Sequence, residues 1–138
     1  RWVVGSNANL PILNESLDLV LCLFGFPVYS EFSRVLRPGG QVIQVDAGAD
    51  HLRELREIIY PELKSPAHTK SSDPEGFRSL ASTVLRFSLR LPDQASIADL
   101  LAMTPHLYRA SSEGLEKAAA LESLEVTVDV VLKCLEKR

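Results

Sequence analysis

Cysteine is scarce: Cys22 and Cys134 are the only two in 138 residues, and both sit inside apolar runs. Neither belongs to a C-x-x-C pair or a Cys/His ligand spacing, which argues against a disulfide framework and against a metal module built from this chain. Two buried thiols and a reducing, cytoplasmic setting are the expectation. Long hydrophobic runs are also missing. The longest, from Leu17 to Val28, is interrupted by Asp18, Gly25 and Pro27, short of the roughly 20 apolar residues a membrane-crossing helix needs. Basic excess is absent too: 15 Lys and Arg against 18 Asp and Glu leave a formal net charge of −3, which is no electrostatic footprint for nucleic acid. Seven cations, Arg53, Arg56, Lys64, Lys70, Arg78, Arg86 and Arg90, do fall in one stretch, interleaved with acids. That reads first as a mixed solvated surface and second as one basic edge. Position 1 is Arg rather than Met, and no charged, apolar and small-residue succession of a signal peptide follows, so a piece of a longer protein is expected. There are no internal repeats or low-complexity tracts.

What is present suffices for one core. With 46% hydrophobic residues, the chain is expected to form a single domain over 1–138. Trp2 to Val4 reads as a short strand. Leu17 to Phe24 is near-continuously apolar at strand length, the pattern of a central strand covered on both faces. Ser30 is a candidate N-cap for a helix from Glu31 to Leu36, and a strand follows from Gln41 to Val45. Asp50 is a candidate cap for a helix from His51 to Tyr60, whose Leu52, Leu55, Ile58 and Ile59 form one stripe. Lys64 to Glu75, with two prolines and three serines and including His68, reads as a mobile loop. A short helical turn is expected at Phe77 to Leu80. From Leu85 to Leu91 apolar residues alternate with Arg86, Ser88 and Arg90, a half-exposed strand. A helix of about eight residues after Ser96, an Ala-rich helix from Glu113 to Leu121 and a strand from Val126 to Cys134 complete the chain. Early β/α units and a late antiparallel strand pair give a mixed α/β sheet with helical cover.

Glu31-Phe-Ser-Arg-Val-Leu-Arg-Pro-Gly-Gly40 joins a helix end to a turn and a strand: Pro38 cannot continue the helix, and Gly39 and Gly40 can reverse the backbone. The segment resembles the one before the fifth strand of class I S-adenosylmethionine-dependent methyltransferases, where E-x-x-R-V-L-x-P-G-G is frequent. Ser6-Asn-Ala-Asn-Leu-Pro11, His51-Leu-Arg-Glu-Leu55 with Ile59-Tyr60, and Met103-Thr-Pro-His106 with Tyr108-Arg109 narrow the resemblance. Over nearly its whole length the chain resembles the C-terminal part of bacterial large-subunit (23S) rRNA guanine-N1 methyltransferases.

That resemblance implies a partial Rossmann-like sheet from the complete order 3-2-1-4-5-7-6. It also implies S-adenosylmethionine as cofactor, ribosomal RNA as partner, and zinc only in an N-terminal module that this chain lacks. The Gly-rich loop that grips the cofactor has no counterpart here either. Weak or no cofactor binding, and an inactive chain by itself, are therefore expected. With its first strands missing, the strand from Leu17 would keep an unpaired apolar edge, which invites pairing with a second copy into a homodimer. A small-molecule methyltransferase of the same fold, or a non-catalytic truncated paralogue acting as a binding module, are the competing readings.

Methyl transfer to guanine N1 requires in-line alignment, removal of the N1 proton and a pocket for the unstacked base. His51 is the first candidate for proton chemistry, because it lies just beyond the strand ending at Val45 and ligands in open α/β sheets bind beyond the carboxyl ends of the strands; the resemblance implies a place for it beside the cofactor. A helix-start His bonded to nearby backbone is its plain alternative. Asp46 flanks the same loop and is the second catalytic candidate, whereas Asp50 reads as a cap. Ser6 and Asn7 are candidates for the adenine end of the cofactor, with Phe24; a polar turn and core packing are their alternatives. Phe26 could stack on the acceptor base with Pro27 stiffening the backbone. Thr104, Pro105 and His106 could line the acceptor side, or form a helix stop with a structural Thr; Arg109 with Tyr108 could stack on or clamp RNA, against the plainer reading of a surface aromatic packed by an Arg. No catalysis is assigned to Arg34 or Arg37.

Overall fold

The computed structural model describes residues 2–62 and 72–138. His68 and most of the segment expected to be a mobile loop lie outside the described residues. Seven-residue strand β1 (Leu17–Leu23) is followed by α1 (Tyr29–Val35), β2 (Leu36–Ala47), α2 (Arg53–Ile59), β3 (Phe77–Leu91), α3 (Gln94–Ala102), a 3₁₀ turn (Pro105–Tyr108), α4 (Ser112–Ala119) and β4 (Leu124–Lys137). The sheet order is β1-β2-β4-β3, with β2 parallel to β1 and antiparallel to β4. This is the 4-5-7-6 portion of the order that the sequence resemblance implies. The described residues fall into two compact units.

The first unit holds β1, α1, β2, the start of β3 up to Val84 and the end of β4 from Val130. Its core is Cys22, Phe32, Leu36, Val42, Phe77 and Leu135. Pairing registers Leu19 with Gln41 and Leu23 with Val45 on one side of β2, and Gln41 with Glu136 and Ala47 with Val130 on the other. The strand begins at Leu36, directly from the helix, so Pro38, Gly39 and Gly40, expected as a reversing turn before a strand from Gln41, lie inside β2; Gly39 takes φ +75°, a conformation open to glycine at little cost, where the pairing with β1 shifts register. Here the E-x-x-R pair has a structural explanation. Arg34 donates to Glu31 through Nε and Nη2 at 2.9 and 2.6 Å, and to the carbonyls of Leu10 and Ile12 and the side chain of Asn14. Glu31 in turn accepts from the Leu10 amide at 2.7 Å, so one ion pair pins the incoming segment to α1. The Arg34 bond and then the Leu10 amide hold the Glu31 carboxyl down to about 2.

The second unit holds α2, α3, the 3₁₀ turn, α4, and the remaining parts of β3 and β4. Leu55 and Ile59 of α2 pack with Leu91, Ile97, Leu101, Ala118 and Val126. Both α2 residues are fully buried, so truncating either to Ala costs about 2–5 kcal/mol. Helices α2 and α4 approach so closely that a Cβ on Gly114 would lie 2.4 Å from the Ile59 carbonyl oxygen.

Several local expectations change. Trp2 to Val4 forms no strand and is exposed. Val28, not Ser30, occupies the N-cap of α1, without a side-chain bond. Asp50 does not cap α2: Leu52 takes that place at φ 51°, and the Asp50 carboxylate pairs with Arg53 at 3.1 Å and Arg86 at 2.8 Å instead. Phe77 to Leu80 is the start of a 15-residue strand rather than a helical turn. Helix α3 starts at Gln94, two residues before Ser96, because the Asp93 carboxylate accepts from the Ser96 amide and hydroxyl.

Candidate functional site

The first unit carries six of the candidate residues: Phe24, Phe26 and Pro27 in the loop after β1, Ser6 and Asn7 in the turn before it, and Asp46 at the end of β2. Phe24 sits at φ 51° with 60% of its surface exposed, and its amide donates to the Val45 carbonyl at 2.9 Å. Phe26 is almost fully exposed, at 88%, beside the half-buried Pro27. Asn7 donates from its amide to the Phe26 carbonyl at 3.2 Å, which joins the candidate adenine-side turn to the Phe-Gly-Phe-Pro loop. The Ser6 hydroxyl accepts from the Ala8 amide, and both Ser6 and Asn7 are exposed. Asp46, at the end of β2, accepts two bonds from the Gln44 amide at 2.8 and 3.0 Å and pairs with Lys133 at 3.5 Å. Gln44 is buried and also accepts from the Tyr29 hydroxyl at 2.7 Å, a polar chain of Tyr29, Gln44 and Asp46 that the sequence reasoning missed. Burial, with the nearby Asp46 and Cys22 charges acting the same way, pushes the Tyr29 phenol up despite that bond.

In the second unit, the loop after β2 is tied to β4. The Gly48 amide donates to the Asp129 carbonyl, the Asp50 amide to the buried Asp129 carboxylate at 3.0 Å, and the Asp129 amide to His51 Nδ1 at 3.3 Å. His51 is thus seated against backbone at the entrance to α2, and burial pushes its pKa below the ordinary His value against the opposing pull of Asp129. Arg56 Nη1 donates to the carbonyls of Ala49 and His51, each at 3.0 Å, closing the same loop. One turn on, the Tyr60 hydroxyl meets His106 Nδ1 at 2.7 Å, with the rings edge to face at 5.6 Å. Burial first, then the charges of Arg56, His51 and Arg109, push the His106 pKa down. His51 and His106, 55 positions apart in the chain, therefore share one electrostatic neighbourhood with Arg56, Tyr60 and Arg109. Arg56 and Tyr60 were seen in the sequence only as parts of a cation-rich stretch and of the His-Leu-x-Glu-Leu element. Their spacing of four on a helix was the signal that they share a face.

Thr104 and Pro105 are placed less tellingly. The Thr104 hydroxyl donates to the Leu101 carbonyl at 3.1 Å, closing the end of α3, and Pro105 opens the 3₁₀ turn. Met103 and Tyr108 are strongly exposed. Among the described residues no group of His, Cys, Asp and Glu is placed to hold a metal ion, and no helix is long and apolar enough to cross a membrane.

The β1-β2-β4-β3 order, with its antiparallel final strand, can be set beside known proteins. The chain superposes on a Bacillus halodurans C-125 protein provisionally named as a methyltransferase, with TM-score 0.50 and 16% identity, covering 96% of this chain and 69% of that one. The fold is that of a class I methyltransferase. In sequence, the chain is 31% identical over 132 residues to YxjB of Bacillus subtilis (strain 168), which is provisionally named as a 23S rRNA (guanine-N(1)-)-methyltransferase. That match takes in 94% of this chain and 47% of YxjB, so the chain spans about half the length of the relative it matches. No protein-family model matches it.

Proposed function

We propose that this chain is the C-terminal portion of the catalytic domain of an S-adenosylmethionine-dependent 23S rRNA guanine-N1 methyltransferase, and that it is inactive by itself. The observation that carries the reading is the 31% identity to YxjB along 94% of the chain, combined with coverage of only 47% of that relative. S-adenosylmethionine would supply the methyl group as a sulfonium. Ser6, Asn7 and Phe24 offer exposed polar groups and an aromatic face suited to its adenine end, and His51 is the candidate from the second unit. The described residues include no Gly-rich phosphate- or carboxylate-type cradle, which supports weak cofactor binding by this piece. Asp46 is an acceptor-only carboxylate and serves as the candidate for taking the N1 proton. Phe26, the most exposed of the loop's side chains, is suited to stacking on the base.

The exposed Leu19, Leu21 and Leu23 on β1, the strand at one end of the sheet, support a homodimer through that edge when this chain is alone. The test of the function is methylation of 23S rRNA by the longer protein. Methyl transfer to guanine N1 that is lost in Asp46→Asn and His51→Ala supports the reading; transfer to small acceptors with rRNA left unmodified refutes it. Calorimetric titration of the chain alone with S-adenosylmethionine is the companion measurement, and micromolar binding would contradict the half-site argument.

A further inference from the structure

Several acids of the second unit are engaged by partners other than Arg56 and Arg109. Asp50 serves Arg53 and Arg86, Glu57 serves Arg53, and Glu113 serves Lys117. Glu54 is bonded to Thr127, Asp93 to Ser96, and Glu125 to Ser88. Among the described residues, Arg56 and Arg109 form no ion pair. These two arginines are not scattered. Arg56 and Tyr60 are separated by one turn of α2, with the Tyr60 amide bonded to the Arg56 carbonyl. Tyr60 holds His106, and His106 and Arg109 are three apart on a 3₁₀ turn, where such residues eclipse one another. The Arg109 amide closes that turn on the His106 carbonyl at 3.1 Å. The result is two guanidinium groups, an imidazole and a phenol from two elements, with Arg109 exposed and the other three half-buried.

We infer that this Arg56, Tyr60, His106 and Arg109 cluster is a binding site for a backbone phosphodiester of the RNA substrate. The chemistry is that of phosphate recognition: the Arg109 guanidinium and the Arg56 donors not bonded to Ala49 and His51 supply charge-assisted bonds, the Tyr60–His106 pair adds the one N–H or O–H that its mutual bond leaves over, and neither arginine is in an ion pair among the described residues. The inference rests on the RNA reading given under Proposed function. It would give a chain of net charge −3 a local point of contact with RNA, through two guanidinium groups that are in no ion pair among the described residues.

The test has two arms. In the first, inorganic phosphate is titrated into the chain while the ring ¹H–¹³C signals of His106 are followed by NMR. Saturable shifts that are lost in Arg109→Ala support the site, and signals that do not move at tens of millimolar phosphate overturn it. In the second, a fluorescein-labelled rRNA hairpin is bound to the chain and to its Arg109→Ala and His106→Gln variants across a salt series. A uniform weakening of about three- to tenfold, with a salt slope shallower by about 0.7–1, supports a phosphodiester contact. Unchanged affinity and slope overturn it while leaving the RNA reading standing. A phosphate response with no hairpin binding by the parent chain instead overturns the RNA assignment of the site. Arg109 is exposed, so its variant keeps the test readable if a His106 substitution disturbs folding.

Discussion

Replacing Gly114 with Ala should destabilise the chain, although the usual effect of this change inside a helix is the opposite. Gly114 lies in the first turn of α4, after the Ser111 N-cap whose hydroxyl accepts from the Gly114 amide at 3.0 Å. In a helix facing solvent the substitution gains up to about 1 kcal/mol, because Ala gives up less backbone entropy than Gly. Here the added methyl would stand 2.4 Å from the Ile59 carbonyl oxygen, 2.6 Å from its Cα and 2.7 Å from its carbonyl carbon. All three are backbone atoms at the end of α2, and no rotamer change moves them aside. Relief requires α4 to withdraw by roughly half an ångström or more, loosening Ala118 and Leu115 against Leu55 and Ile59. Overpacking of this kind costs about 1–3 kcal/mol, so the net change is a loss of about 1–2 kcal/mol. For a chain of this size that lowers Tm by about 3–8 °C. Urea and thermal unfolding followed by far-UV circular dichroism measure it. Ile59→Val, which trims the side chain and leaves the backbone, should give no rescue when combined with Gly114→Ala. A Gly114→Ala chain as stable as its parent, or rescue by Ile59→Val, would refute the backbone-contact argument.

Other consequences are equally open to measurement. His51 and His106 are both held below the ordinary His value, chiefly by burial, so the folded chain binds protons less readily than the unfolded one. Their contribution to stability is fully present above the unfolded value near 6.5 and is lost as pH falls through their depressed folded values; Tm measured from pH 8 to 5 should fall, less steeply in His106→Gln. Glu31 has the same direction in a lower window: its stabilisation is complete above about 4.5 and fades as pH drops toward its folded value of about 2, so Glu31→Gln should flatten acid unfolding there. Arg34→Lys should lower Tm nearly as much as Arg34→Ala, because one ammonium cannot replace a fork serving Glu31, Asn14 and two carbonyls; near-complete rescue by Lys would contradict this. Glu54→Ala removes both acceptors of Thr127, its amide at 2.7 Å and its hydroxyl at 2.6 Å, and should cost about 1–3 kcal/mol in urea unfolding. Leu21→Lys, on the exposed edge strand, should convert a dimer to a monomer in light scattering at micromolar concentration; a parent chain that is already a monodisperse monomer rules out the edge pairing.

The parts legible in the sequence are those where local chemistry decides the conformation. Leu17–Leu23 announces its strand through residues that have few alternatives, whereas Pro38-Gly39-Gly40, expected to reverse the backbone, lies inside β2 beside a register shift against β1. Helix α2 is readable from its stripe. The misreadings occur where partners distant in sequence decide. The 77–84 part of β3 carries Ser, Ala and Thr with little alternation, and most of it is exposed; its extended form comes from its place in the sheet beside β4, not from its own pattern. Asp50 looked like a cap because it precedes a helix, but Arg53 and Arg86 outbid the backbone for its carboxylate, and no window of local sequence contains Arg86. Of the candidate site, the sequence named His51 and His106 separately. Their shared neighbourhood depends on α2 delivering Tyr60 to a turn 46 residues later.

The two halves of the diagnostic sequence therefore report different things. The Glu31 to Gly40 element is the more widespread signature, and its polar groups are consumed internally: Glu31 and Arg34 bond to each other and to residues 10–14, while Arg37 pairs with Asp18. A motif whose chemistry is spent on holding its own unit together is free to recur over any substrate, which is why it identifies a fold. The His51 to Tyr60 and Thr104 to Arg109 elements are different in kind. Their backbone bonds close loops and turns, but Arg109 keeps its guanidinium outward and Arg56 has no carboxylate partner among the described residues. Cations that are in no ion pair keep donors for an anion from outside. Selection on substrate can act there without disturbing the fold, so substitutions at Arg56, Tyr60, His106 and Arg109 should separate relatives by what they bind, whereas substitutions at Glu31 and Arg34 should separate them only by stability.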